Sequence, residues 1–391
     1  RRRHRCSALL LLLLAPQRVL PANHEADECA SVASASVRLW NGVAMPRVGL
    51  GTAGRMGAGP VRTAYEAGVR LFDTARAREW YDEDGVARAL AGLERSSLFV
   101  VTKLHPRDHG FSRCAAAVND SARKFGGYVD LFLLHYPVCW DGLCGRGWKV
   151  EGSWRDSWRA LEDAYAAGTV RAIGVSNFRG GEFRELLRVS KIKPHAVENF
   201  FDPFQQDRDV KALAAREGVA YVSYSTLGTQ WTAQGPNPVF ASAVLKDIAA
   251  QRHSDVTSVV LSWALARQAV VIPRSFDASH IRANARLIRG GTELAVCLTP
   301  ADLRRIDDLD GTAHAAVQSM SDSKQQRVVQ ESVSALFSSD VPADVFWLDD
   351  RGERHLVASL EPDAQPAAIS TYPSHTFVAV PRRPAGAANV T

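Results

Sequence analysis

The chain has 391 residues, 46% of them apolar and 23% charged, as expected of a soluble globular protein with a substantial core. That length allows one large barrel plus an extra module. Much of the formal net charge of +5 sits at Arg1, Arg2, Arg3 and Arg5, and no basic stripe is interleaved with aromatics, which argues against a nucleic-acid partner.

Residues 1–35 read as a targeting leader and polar linker. The basic run precedes Ala8 to Ala15, which holds six leucines, and Pro21, Ala22 and Asn23 follow. This is the order of a signal peptide, and the apolar stretch is too short to span a bilayer. The expected destination is the secretory pathway, ER lumen or exterior; the alternative is an organelle such as a plastid. No other stretch approaches membrane-spanning length. Of six cysteines, Cys139 and Cys144 flank a short Trp-Asp-Gly-Leu loop and either pair in an oxidising lumen or remain free thiols. A zinc site would need two more close ligands, so no metal is expected. Asn119 and Asn389 open glycosylation sequons, meaningful only on the secretory route, and Asn119 falls in a predicted helix.

The middle of the chain repeats a helix, a glycine and an apolar strand. Ala64 to Gly68 leads into Val69 to Thr74, Tyr165 to Gly168 into Ala172 to Val175, and Arg216 to Gly218 into Tyr221 to Tyr224. Between the first two, Trp154, Trp158, Leu161 and Tyr165 share a helical face, with Ser153 as its N-cap. Further strands are predicted at Phe99 to Leu104, Val129 to His135, Ala196 to Phe200 and Val270 to Pro273, with Val48 to Thr52 as the first. Leu131 to Leu134 is a continuous apolar run, as parallel strands buried on both faces require. Eight strand–helix units predict an α/β chain with a (β/α)8 TIM barrel over 36–311. A doubly wound sheet is the alternative, but no G-x-G-x-x-G follows the first strand. Residues 312–342 read as a connecting segment, and 343–391 as a small all-β, sandwich-like domain with a frayed tail.

In such barrels chemistry sits at the C-terminal ends of the strands. Asp73, Lys103, His135 and the pair Ser176-Asn177 fall there. Each alone has a bland role, as a helix cap, a snorkelling cation or a structural imidazole. Their recurrence on successive strands is hard to assign to packing.

With these residues in place, the chain resembles the aldo-keto reductase family over about 36–311. The matching stretches are Gly49 to Thr52, Phe72 to Ala75, Thr102-Lys103, Asp130 to His135, Ala172 to Phe178, Tyr224 to Gly228 and Val271 to Ser275. The resemblance implies reduction of an aldehyde or ketone with NADPH by a tetrad of Asp73, Tyr81, Lys103 and His135. Hydride transfer builds negative charge on the carbonyl oxygen, which a donor must protonate. A tyrosine fits if Lys103, held by Asp73, favours its ionised form, while His135 orients the carbonyl. The family places its tyrosine five residues after the aspartate, where this chain has Arg78; Tyr81 lies eight after, so a longer loop is expected to deliver it.

For the cofactor, the resemblance assigns Ser176, Asn177 and Asn199 (in place of a glutamine) to the nicotinamide carboxamide, and Tyr224 to its ring, with Ser225 and Leu227 beside it. Arg274, Ser275 and His280 (in place of a second basic residue) would hold the 2′-phosphate, and Asn284 the adenine; NADH is the alternative cofactor. Ala53, His105 and Tyr136 line the expected substrate pocket, overhung by the loop from Val138 to Gly152. No substrate is named by these residues, and a monomer is expected.

The C-terminal stretch Val345 to Asp349, Gly352-Glu353, Leu360 to Pro362 and Ser370 to Phe377 resembles the β domain of the von Hippel-Lindau family. That likeness implies a hydroxyproline-peptide partner, with Ser370 or Thr371 and His375 in matching places but Val357 where a tyrosine belongs. The rival functional reading is therefore a catalytically impaired barrel acting as a binding protein through this module. A secreted glycoprotein with a structural role is the third reading, and it explains none of the tetrad.

Overall fold

The computed structural model describes residues 29–233 and 235–313 and, beyond them, five strands within 333–381. The leader through residue 28, the sequon at Asn389 and most of the predicted connecting segment lie outside the described residues. Two compact units meet in sequence after Ala313.

In the first unit, β1 (Ser36–Arg38) and β2 (Ala44–Pro46) form an antiparallel hairpin. Eight parallel strands follow: β3 (Gly49–Gly51), β4 (Leu71–Asp73), β5 (Phe99–Leu104), β6 (Leu131–Leu134), β7 (Ile173–Ser176), β8 (Ala196–Phe200), β9 (Ala220–Tyr224) and β10 (Ala269–Val271), each bonded to the next. The ring closes where Val48 bridges Val271 in parallel and Gly51 N donates to Pro273 O at 3.3 Å. A Cβ at Gly51 would stand 2.7 Å from Ile272 O, so only glycine permits this seam. This is the expected barrel, with its last strand beginning one residue earlier than predicted.

Helices end where the sequence places glycines: Gly68, Gly168 and Gly218 have φ of +99°, +75° and +67°. Helix Trp154–Ala166 starts with the Asp156 carboxylate accepting from both Ser153 N and Ser153 Oγ at 2.8 Å. It buries Trp154, Trp158 and Leu161 against the sheet. Inside the barrel, Leu71, Val101, Leu133, Ala172, Ala196 and Val222 belong to one buried cluster.

A disulfide joins Cys29 to Cys297, 268 residues apart, with the Cα atoms 4.8 Å apart. Cys139 and Cys144 also pair, resolving the alternative left open by the sequence. Before Cys297, β11 (Ile288–Arg289) and β12 (Glu293–Leu294) make a short hairpin. Among the described residues, no helix is long and apolar enough to cross a membrane.

In the second unit the strands are β13 (Val333–Phe337), β14 (Ala343–Leu348), β15 (Arg354–Leu360), β16 (Ala367–Thr371) and β17 (Thr376–Pro381). β13 pairs antiparallel with β16, and β14 lies between β15 and β17. β13 falls inside the stretch read from sequence as a connecting segment.

Candidate active site

Strand alternation decides which side chains reach the mouth of the barrel. Leu71, Val101, Leu133, Ala172, Ala196 and Val222 face inward. Continuing each strand in steps of two gives Asp73, Lys103, His135, Ser176, Glu198 and Tyr224, which gather at the C-terminal end of the barrel.

Lys103 is fully buried, and its Nζ donates to Asp73 Oδ2 at 2.6 Å and Thr74 O at 3.1 Å. Glu198 Oε1 lies 3.3 Å from the same nitrogen. Burial alone would lower the Lys103 ammonium, but Asp73, Glu198 and Tyr81 reverse this and hold it above its ordinary value. Burial raises the Asp73 carboxyl against the pull of Lys103.

The longer loop brings Tyr81 to this lysine. Trp80 O accepts from Gly54 N at 2.7 Å and Arg55 N at 3.0 Å, while Tyr81 N donates to Ala77 O at 2.8 Å. Asp82 then caps helix Glu83–Leu90 by accepting from Gly85 N. The buried Glu83 fixes that helix to the barrel wall by accepting from Thr102, Ser121 and Lys124. The Tyr81 ring centroid is 5.5 Å from Lys103 Nζ, and its ring meets His135 edge-on at 5.9 Å. Arg78, at the family's usual spacing, is 88% exposed and faces Asp84.

Burial raises the Tyr81 phenol well above its ordinary value; Lys103 pulls it down, but Asp73 and Glu198 push the other way. Lys103 favours the ionised form, as expected, but burial outweighs it and the phenol is held protonated. Burial, then Lys103 and His105, drive His135 well below its ordinary value, so its imidazole is neutral. Its Nδ1 is buried without a hydrogen-bond partner.

Asn177 and Ser225 adopt left-handed φ of +59° and +51° at the ends of β7 and β9. Asn177 Nδ2 donates to His135 O at 2.8 Å, and Tyr224 OH donates to Asn177 Oδ1 at 2.6 Å. A cavity of about 350 Å³ is lined by Ala53, Tyr81, His135, Tyr136, Ser176, Asn177, Glu198 and Tyr224. An adjoining cavity of about 220 Å³ shares Ala53, Tyr81, Tyr224 and Ser225 with it and adds Leu227 and Arg274.

Two of the assigned residues, Asn199 and His105, lie outside these two cavities. Asn199 has the opposite parity: its amide donates to Phe178 O at 2.9 Å and Asp207 Oδ2 at 2.8 Å, and it lines a neighbouring cavity with Tyr136, Asn177 and Tyr224. Glu198, one residue earlier, takes the inward place, and its Oε2 is buried without a partner. His105 lines neither cavity, because the chain leaves the strand there and His105 caps the turn Pro106–Asp108. It meets Glu79 at 2.9 Å and so braces the tyrosine loop. Trp80 and Gln230 also line the larger cavity, and neither carried a signal in the sequence.

The other end of the cleft is open. Arg274 and His280 are exposed, while Ser275 and Asn284 are half-buried. Among them sits Asp277, whose carboxylate accepts from Ser279 N at 2.8 Å and His280 N at 3.0 Å. Those hydrogen bonds, led by the Ser279 hydroxyl, hold its carboxyl below the ordinary range.

The sequence model of the Aldo/keto reductase family matches residues 55–309, more than half of the chain. An NAD(P)H-dependent D-xylose reductase of Candida tenuis is 32% identical over 307 residues, covering 70% of this chain and 92% of the relative. A glyoxal reductase of Bacillus subtilis strain 168 is 31% identical over 255 residues, covering 64% of this chain and 86% of its own length. An aldo/keto reductase structure from Brucella melitensis superposes with a TM-score of 0.60 at 27% identity, covering 71% of this chain and all of that one. With the barrel, the site and these likenesses in agreement, the chain belongs to the aldo/keto reductase family of oxidoreductases.

Proposed function

We propose that the barrel reduces an aldehyde or ketone to the alcohol with NADPH, using Tyr81 as proton donor. The observation that carries this reading is the convergence of Tyr81, Lys103 and His135 on one cavity, although Arg78 occupies the usual tyrosine spacing. The cofactor supplies the hydride. Neutral His135 donates one ring N–H to the carbonyl and sets its angle. Tyr81, protonated before reaction, gives its hydroxyl proton to the oxygen as charge develops there. Lys103 lies close enough to stabilise the phenolate left behind, and Asp73 holds that ammonium in place.

The chain's residues fit the cofactor well at the nicotinamide end. Asn177, Ser176 and the unpartnered Glu198 Oε2 offer a donor and two acceptors to a carboxamide, and Tyr224 offers a ring face. At the outer end Arg274 with Ser275 suits a 2′-phosphate, while Asp277 opposes it, so NADH is the competing cofactor. The test is loss of NADPH absorbance with a panel of simple aldehydes, comparing wild type with Tyr81→Phe. Turnover that vanishes in the variant supports the reading; turnover that survives moves the proton donor elsewhere.

We further read the route of the chain as secretory, which the two disulfides favour. The C-terminal unit is read as a von Hippel-Lindau-like β domain on its sequence likeness. Ser370 and Thr371 lie on β16 and Val357 on β15, while His375 is outside the described residues. A pull-down with hydroxyproline peptides tests whether the module binds such a partner.

A further inference from the structure

The buried carboxyl of Glu198, read above only as an acceptor for the carboxamide, also shares the lysine that serves Tyr81. It is 2% exposed, holds one oxygen 3.3 Å from Lys103 Nζ, and leaves the other unpartnered among cavity-lining residues. Asp73 and Glu198 interact directly with each other and share a single cation, Lys103. With both carboxyls ionised the trio carries one net negative charge; with one proton on the pair it is neutral. Burial and then Asp73 push Glu198 up to about 8, so this proton comes off near neutrality.

The other groups facing Glu198 hold still over that range. Burial keeps the Tyr81, Tyr136 and Tyr224 phenols above their ordinary values, Lys103 stays charged, and His135 stays neutral.

On the cofactor reading given above, we propose that Glu198 tilts the site toward the oxidised, cationic nicotinamide and releases a proton when that form binds. The reduced ring is neutral and gains nothing from a second carboxylate. The oxidised ring carries a positive charge into a cavity lined by Glu198, one of whose carboxyl oxygens has no hydrogen-bond partner. By linkage, whatever favours the ionised carboxyl favours the oxidised cofactor to the same degree. A glutamine at this place would accept from a carboxamide equally well but would not discriminate between the two charges.

The experiment measures Kd for NADP⁺ and NADPH in parallel, by quenching of tryptophan fluorescence, at about pH 6 and about pH 9 in wild type and Glu198→Gln. The 2′-phosphate is common to both forms, so its titration cancels in the ratio of the two constants. In wild type the ratio of Kd for NADP⁺ to Kd for NADPH should fall at least about tenfold from the acid to the alkaline value. In Glu198→Gln it should be flat and stay at the wild-type acid value. A weakly buffered wild-type sample should release protons on adding NADP⁺, and the variant should not. A pH-independent wild-type ratio, or the same fall in the variant, overturns the inference while leaving the reductase reading intact. Failure of wild type to bind either form overturns the reductase reading instead. If Glu198→Gln does not give a cooperative thermal melt, the wild-type pH series and proton release decide.

Discussion

The two ends of the cleft are built on opposite principles. At the inner end, Asp73, Lys103, His135 and Glu198 are all at least 95% buried, so each group fixes the protonation of the next. At the outer end, Arg274, Asp277 and His280 lie in solvent on a loop and a short helix, where water screens each from the others. Substitutions inside should therefore be large and strongly non-additive, and those outside small, additive and sensitive to salt.

Lys103→Met is the severest way to test this contrast. It removes the only cation of a buried trio and leaves two carboxyls facing each other. Activity should be lost, and stability should fall by about 3–5 kcal/mol at alkaline pH. The loss should shrink in acid, where the carboxyls take up protons. Thermal melts at two pH values would show it, and a variant as stable as wild type at both would break the claim of mutual dependence.

Tyr81→Phe keeps the ring and removes only the hydroxyl. We expect kcat/KM to fall by about 10²–10⁴ with cofactor affinity unchanged, while Arg78→Ala stays within about twofold of wild type. Steady-state kinetics with one reactive aldehyde would separate the two residues. A larger loss in Arg78→Ala would hand the role to the residue at the usual spacing.

The same contrast explains what could be read in the sequence. Strands such as Leu131–Leu134 announce themselves because burial on both faces demands a continuous apolar run. The inner groups of the cleft were legible because a buried Asp, Lys or His is too costly to place without purpose. Glu198 carries no signal in that reading, which takes Asn199 as the counterpart of the family's glutamine; parity counted from the inward Ala196 points to Glu198 instead. His105 was misplaced because the strand parity was carried past the point where the chain turns into Pro106–Asp108. The Cys29–Cys297 pair joins segments 268 residues apart, and only the barrel's closure brings them together.

Buried histidines elsewhere in the barrel sharpen the comparison in a stability measurement. Burial pushes His109, between Ser157 and Tyr136 O, and His195 down to about 4. Below about pH 6.5 the unfolded chain gains protons that these folded imidazoles refuse, so they drive stability down as pH falls from about 6.5 to about 4. Asp202, raised to about 7 by burial, works the other way and costs stability as pH rises through that value. His109→Gln should flatten the acid limb by roughly 2–3 kcal/mol in urea titrations at about pH 4 relative to about pH 7. An unchanged acid limb would mean that the buried imidazole titrates freely.

The outer end should yield the smallest effect. Asp277 places a carboxylate beside Ser275 and His280, and removing that charge should favour a phosphorylated ribose. We expect Asp277→Thr to raise the preference for NADPH over NADH by about three- to tenfold at low ionic strength, with a threonine still able to cap Ala278–Asn284. Because the group is fully solvated, most of the gain should disappear at about 1 M salt, where the screening length is about 3 Å. Competitive binding of the two cofactors at two salt concentrations gives the answer. A preference that ignores salt would show that the outer loop is buried by the bound cofactor and obeys the rules of the inner end, because only a desolvated charge escapes screening.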